Sequence, residues 1–122
     1  MIEQAEKYSL RSEKYWKQAL DFYTKRDFLK ATELAWGSVC EAIYALGYKK
    51  GQGLKGHDDV KRFVRNLALS SGHEQLYELF KNAESAHANF YREFMDENEV
   101  RDVVAKVEEL LRRIRQLLAE AG

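Results

Sequence analysis

The run VRDVVAKVEELLRRIRQL, residues 100–117, decides the fold. Val100, Val103, Val107, Leu110, Ile114 and Leu117 recur at steps of three and four, the spacing that keeps one face of an α-helix against a partner. Between them stand Arg, Lys, Asp and Glu, so the opposite face is solvated. The segment therefore predicts a core helix beginning after residues 96–98. Upstream, Ser71 and Glu74 have the spacing of a capping box, and Leu76, Leu79, Phe80, Ala83, Phe90 and Phe94 line one face of a helix reaching Met95. Asp58 is placed to cap a shorter helix ending near Ser70, with Val60, Phe63, Val64, Leu67 and Ala68 turned inward and Gly72 as its stop.

The N-terminal part repeats the pattern. Ala5, Tyr8, Ser12, Tyr15, Ala19 and Phe22, widened by Trp16 and Tyr23, form a helical stripe from Glu3 to Arg26. Asp27 can cap the next helix, whose Phe28, Ala31, Leu34, Ala35, Ala42, Ile43 and Leu46 share a broad face before Gly47, read as a left-handed stop. The two helices predict a tight hairpin. Residues 47–57 read as a mobile, basic, glycine-rich surface loop. The chain has no proline, and no period-two alternation or Asn-Gly or Asp-Gly hairpin turn signals a strand. The expected architecture is an all-α, antiparallel four-helix bundle with an additional short helix at one end, a single domain over residues 1–122.

Composition narrows function by exclusion. The 122 residues are 45% hydrophobic and 33% charged, enough for one core. Twenty Lys and Arg balance twenty Asp and Glu, so no global positive field holds nucleic acid or a membrane, and such contacts must be local. Cys40 is the single cysteine, which excludes an internal disulfide and a cysteine-rich zinc site. The first residues lack a signal-like apolar segment and no apolar run reaches spanning length, so the expectation is a cytoplasmic protein without a membrane partner. Seven Tyr, two Trp and six Phe are many for so small a helical domain and favour a homodimer face.

Several motifs carry chemistry. Gly51, Gly53 and Gly56 have dinucleotide-loop spacing but follow a helix in a strandless chain, so they read as a flexible loop. Around them Lys49, Lys50, Lys55, Lys61, Arg62 and Arg65 form a basic patch able to touch phosphates. His57, His73 and His87 lack paired metal-ligand spacing, so no metal is expected, nor any cofactor; Cys40 reads as packing. Glu84, His87 and Tyr91 project from one helical face, with His87 between Ala83 and Phe90 on the apolar stripe and therefore partly buried. Glu33, Gly37, Cys40 and Tyr44 share a face of the second helix. Gly37 costs about 1 kcal/mol against Ala there, which close approach of another helix or the bulk around Trp36 would offset. That approach would set Glu33 opposite His87.

The runs Ala31-Thr-Glu33-Leu-Ala-Trp36-Gly37-Ser-Val-Cys-Glu-Ala42 and Ala83-Glu84-Ser-Ala-His87-Ala-Asn89-Phe90-Tyr91, with His57 between them, resemble the archaeal PaREP family of small helical proteins, over nearly the whole chain. That family is similar to HEPN domains, whose ribonuclease members bring an Arg and a His, separated by a short spacer, to RNA across a dimer interface. The matching residues here are Lys81 and His87, with five residues between them. Lys lacks the bidentate fork of Arg, and residues six apart on one regular helix point roughly 120° away from each other. The resemblance thus implies an HEPN-like homodimer of noncatalytic kind, binding RNA, a nucleotide or a protein partner. The alternative is a metal-independent endoribonuclease with His87 as acid or base, Lys81 on phosphate, and Tyr91 and Asn89 orienting the site. In the noncatalytic reading Glu33, Trp36, Glu84, His87 and Tyr91 specify binding or packing.

Overall fold

A computed structural model describes residues 2–121, apart from the side chains of Ile2 and Tyr91. Five α-helices follow one another: α1 (Ile2–Thr24), α2 (Phe28–Lys49), α3 (His57–Ser71), α4 (Gln75–Arg92) and α5 (Glu97–Glu120), with no strand among the described residues.

The α1–α2 hairpin is set by small residues. Ser12 Oγ donates to the Ser38 carbonyl at 2.7 Å, and Ser38 Oγ donates to the Ser12 carbonyl at 2.7 Å. Hydroxyl-to-backbone bonds in both directions require two helices in close approach, which only small side chains permit. With Ser12 opposite Ser38, the antiparallel register puts Ala5 opposite Ala45 and Ala19 opposite Ala31, seven residues to either side. All six are buried. Gly37 belongs to the same contact, since a Cβ there would meet the Tyr15 ring of α1 at 3.4 Å. Asp27 caps α2 by accepting from Lys30 N, and Arg26, in the left-handed region at φ 64°, forks onto Glu97 at 2.8 and 2.9 Å. That bidentate hydrogen bond holds the Glu97 carboxyl below the ordinary carboxylate range and ties the hairpin turn to the start of α5.

α2 touches every other helix, whereas α1 packs on α2 alone. α4 runs antiparallel to α2, as the Glu33–His87 and Trp36–Phe80 contacts show, and to α5, as Gln75–Arg113 and Asn82–Lys106 show, and α3 rests on α4 and α2. The core between them is Val39, Ile43, Leu46, Leu76, Phe80, Val107, Leu110 and Leu111, each worth about 1.5–3 kcal/mol in burial. Between α1 and α5 a groove stays open, lined by Ala5, Glu6, Ser9, Lys49, Leu118 and Ala119.

Local signals behaved unevenly. α2 does not stop at Gly47 but continues to Lys49, and the left-handed glycine is Gly51 at φ 78°. Gly47 serves a close approach instead, because the chain folds back over it and a Cβ would lie 2.8 Å from the Gln52 carbonyl. The loop before α3 is correspondingly shorter than residues 47–57. Ser71 forms no capping box; its hydroxyl bonds the Leu67 carbonyl, and Gly72 ends α3 at φ 74°. The capping box lies at Asp96 and Glu99, at the start of α5. α4 ends at Arg92 rather than Met95, where Asn89 Oδ1 accepts from Met95 N at 2.8 Å and stops the helix.

Ser38→Leu should therefore lower the free energy of unfolding by about 2–3 kcal/mol, because an added isobutyl group cannot fit a seam this close. Urea denaturation checks it, and an unchanged midpoint would show that the hairpin is not close-packed at Ser38.

Candidate functional site

The antiparallel register of α2 and α4, with α3 beginning beside them, gathers Glu33, Trp36, His57, Glu84 and His87 at one place. Trp36 sits among them on α2, 6% exposed. The His87 ring stacks on it with centroids 5.8 Å apart and planes at 26°, and the His57 ring meets it at 5.7 Å and 42°. Phe80 closes the indole from the core side at 5.6 Å.

Each imidazole is held by a carboxylate from a different helix. His87 Nδ1–H donates to Glu33 at 2.8 Å, joining α4 to α2, and His57 Nε2–H donates to Glu84 at 2.5 Å, joining α3 to α4. The two histidines are thus fixed through opposite ring nitrogens. Their side chains remain 38% and 47% exposed, so the charged ends of both pairs reach water while the indole does not. An imidazole oriented by a carboxylate can accept, store or donate a proton in a fixed direction.

The floor beside Trp36 is electronegative. The Cys40 thiol is pushed up to about 12, first by burial and then by Glu41, Glu33 and Glu84. Tyr44, one turn on, is raised by burial and by Cys40 and Glu41. Glu41 reaches Arg11 at 3.4 Å on one oxygen, and its other oxygen is buried without a hydrogen-bond partner among the described residues. Around this corner Tyr8 stacks on Tyr48 and tilts against Tyr44.

Of the expected ladder, Glu84 takes His57 and His87 takes Glu33, while the Tyr91 side chain lies outside the described residues. Asn89, also named from the sequence, is buried away from the imidazoles, bonded to Thr32 Oγ1 at 3.4 Å and to Met95 N. The Lys81 ammonium pairs with Glu78 at 3.1 Å and lies 5.1 Å over the Tyr77 ring. The basic patch divides. Lys49 donates to the Leu118 carbonyl at the end of α5, Lys50 and Lys55 are exposed on and beside the loop, and Lys61, Arg62 and Arg65 line a groove with Asp58 and Tyr77. His57 is brought into the site by the fold, and its place before Asp58 and Asp59 at a helix start is the one local signal that marks it in the sequence. Among the described residues no group of three or more His, Cys, Asp and Glu side chains converges to hold a metal ion. Nor is any described helix long and apolar enough to cross a membrane.

Residues 7–111 match the family described as the Archaeal PaREP1/PaREP8 family. A crystal structure of a protein from Sulfolobus solfataricus shares the fold with a TM-score of 0.77 at 23% identity, covering 88% of this chain and 96% of that one. No curated protein matches the sequence.

The raised Cys40 thiol gives a signed prediction. The unfolded chain releases this proton near the ordinary value of 9.0 and the folded chain near 12, so stability is full below the first value and is lost as pH rises toward the second. Chemical denaturation at pH 8 and pH 11 should show a larger loss for the wild type than for Cys40→Ala; equal losses would place the thiol in water.

Proposed function

We propose that this chain, which belongs to the archaeal PaREP1/PaREP8 family, is an HEPN-like antiparallel four-helix bundle acting in the cytoplasm as a homodimeric, noncatalytic module that binds RNA or a nucleotide. The observation that carries this reading is a separation of charge. His87 faces the carboxylate of Glu33 in a corner where three glutamates act on Cys40, an environment that repels phosphate. The cations stand elsewhere, with Lys81 held on Glu78 and Tyr77. A phosphodiester that meets cations at one place and an imidazole at another is bound without being cleaved. Homodimer formation is supported by Phe90 and Phe94, 41% and 50% exposed near the end of α4, where a second copy would cover them.

One observation favours the second reading, a metal-independent endoribonuclease. The Glu33 carboxylate orients His87 through Nδ1, as a general base requires. In that case the second protomer would supply the cation that Lys81 does not.

Binding of a labelled oligoribonucleotide should weaken steeply as salt rises, and neither the wild type nor His87→Ala should cleave RNA in the presence of a chelator. Cleavage by the wild type that disappears in His87→Ala would establish the nuclease reading instead, and absence of binding at low salt would remove RNA as a ligand.

A further inference from the structure

The antiparallel pairing of α3 and α4 has a register anchored at one end by His57 and Glu84, 2.5 Å apart. One helical turn further along each helix come Lys61 on α3 and Lys81 on α4, and one turn beyond those come Arg65 and Tyr77. From Asp58 onward this seam opens into a shallow groove lined by Asp58, Lys61, Arg62, Arg65 and Tyr77. The Lys81 ammonium reaches the same place from α4, over the Tyr77 ring. Four cations and one aromatic ring therefore share one seam in a chain of zero formal net charge.

Their pairing leaves charge available. Arg62 holds Asp59 at 3.6 Å and Lys81 holds Glu78 at 3.1 Å, whereas Lys61 and Arg65 have no ion-pair partner among the described residues. Of the residues lining the groove only Asp58 is acidic. From His57 to Arg65 the seam rises about 12 Å along α3, which matches about three or four nucleotides of one strand.

We infer that the α3–α4 seam is the nucleic-acid site, and that it takes a single strand. Lys61, Arg65 and Lys81 contact successive phosphates, and Tyr77 offers its ring to a base when Lys81 swings from it to a phosphate. A continuous duplex has its bases already stacked on one another and cannot use Tyr77, whereas an unpaired base can. The strand runs toward the His57–Glu84 pair and stops short of the electronegative corner beyond it. This inference rests on the RNA-binding reading above and locates it on the molecule.

Fluorescence anisotropy on the full chain, with a labelled oligouridylate and with a labelled RNA duplex of equal length, tests it. The expected result is tighter binding of the single strand, with affinity lowered tenfold or more in Lys61→Ala/Arg65→Ala and the salt slope flattened by about 1.4. Tyr77→Leu should weaken single-strand binding several-fold and leave the salt slope unchanged. If Tyr77→Leu lowers the thermal midpoint, Tyr77→Phe, which keeps the ring, should bind like the wild type. Lys50→Ala and Lys55→Ala, on and beside the loop, should bind like the wild type. RNA binding that survives Lys61→Ala/Arg65→Ala unchanged would overturn the seam while leaving the RNA-binding reading intact. Equal affinity for duplex and single strand, unaffected at Tyr77, would overturn the single-strand assignment. No binding to either RNA overturns both readings.

Discussion

Everything in this molecule depends on how closely α1 approaches α2. α2 must touch every other helix, and a helix can do so only if the face given to one neighbour takes little room. Ala31, Ser38 and Ala45 provide such a face, meeting Ala19, Ser12 and Ala5 of α1 across a seam closed by reciprocal serine-to-backbone hydrogen bonds. The larger side chains of α2, Trp36, Val39, Ile43 and Leu46, are then free to fill the core. Swapping the two kinds of residue between faces would leave the hairpin splayed and the interior underfilled, even at the same composition.

The same division places the polar cluster. Because Trp36 is turned toward α4 and the start of α3, its indole becomes the surface on which His57 and His87 rest, and each ring is fixed by a carboxylate from another helix. Three elements, α2, α3 and α4, are joined there by directional bonds. Negative charge gathers at Glu33, Glu41 and Glu84, and positive charge on the outer edge of α3 and α4. That polarity within a chain of balanced charge separates a face suited to phosphate from a corner suited to holding protons.

The sequence was most legible where periodicity speaks. The steps from Val100 to Leu117 predict α5, the stripes of α1 and α2 predict their hairpin, and the placement of Glu33 opposite His87 follows from residues sharing a helix face. Less legible were features that depend on a neighbour in space. Gly47 looks like a helix stop, yet it accommodates the returning backbone of Gln52, and nothing local distinguishes the two. Ser71 and Glu74 have capping-box spacing, but Gly72 intervenes and bends the chain first, while Asp96 and Glu99 have the same spacing and close the box. Lys81 and His87, six apart on one helix, are expected to diverge by about 120°, and the Lys81 ammonium lies over the Tyr77 ring. His57 is far from Glu84 in sequence, and only the fold brings them together.

The central claim is that two imidazoles are held on one indole by carboxylates acting through opposite ring nitrogens. Nitrogen-15 chemical shifts of the neutral histidine side chains, measured by long-range proton–nitrogen correlation, report the proton position directly. The expected result is the Nδ1–H tautomer for His87 and the Nε2–H tautomer for His57. Finding the Nε2–H form at both, with His87 unchanged by Glu33→Gln, would contradict it.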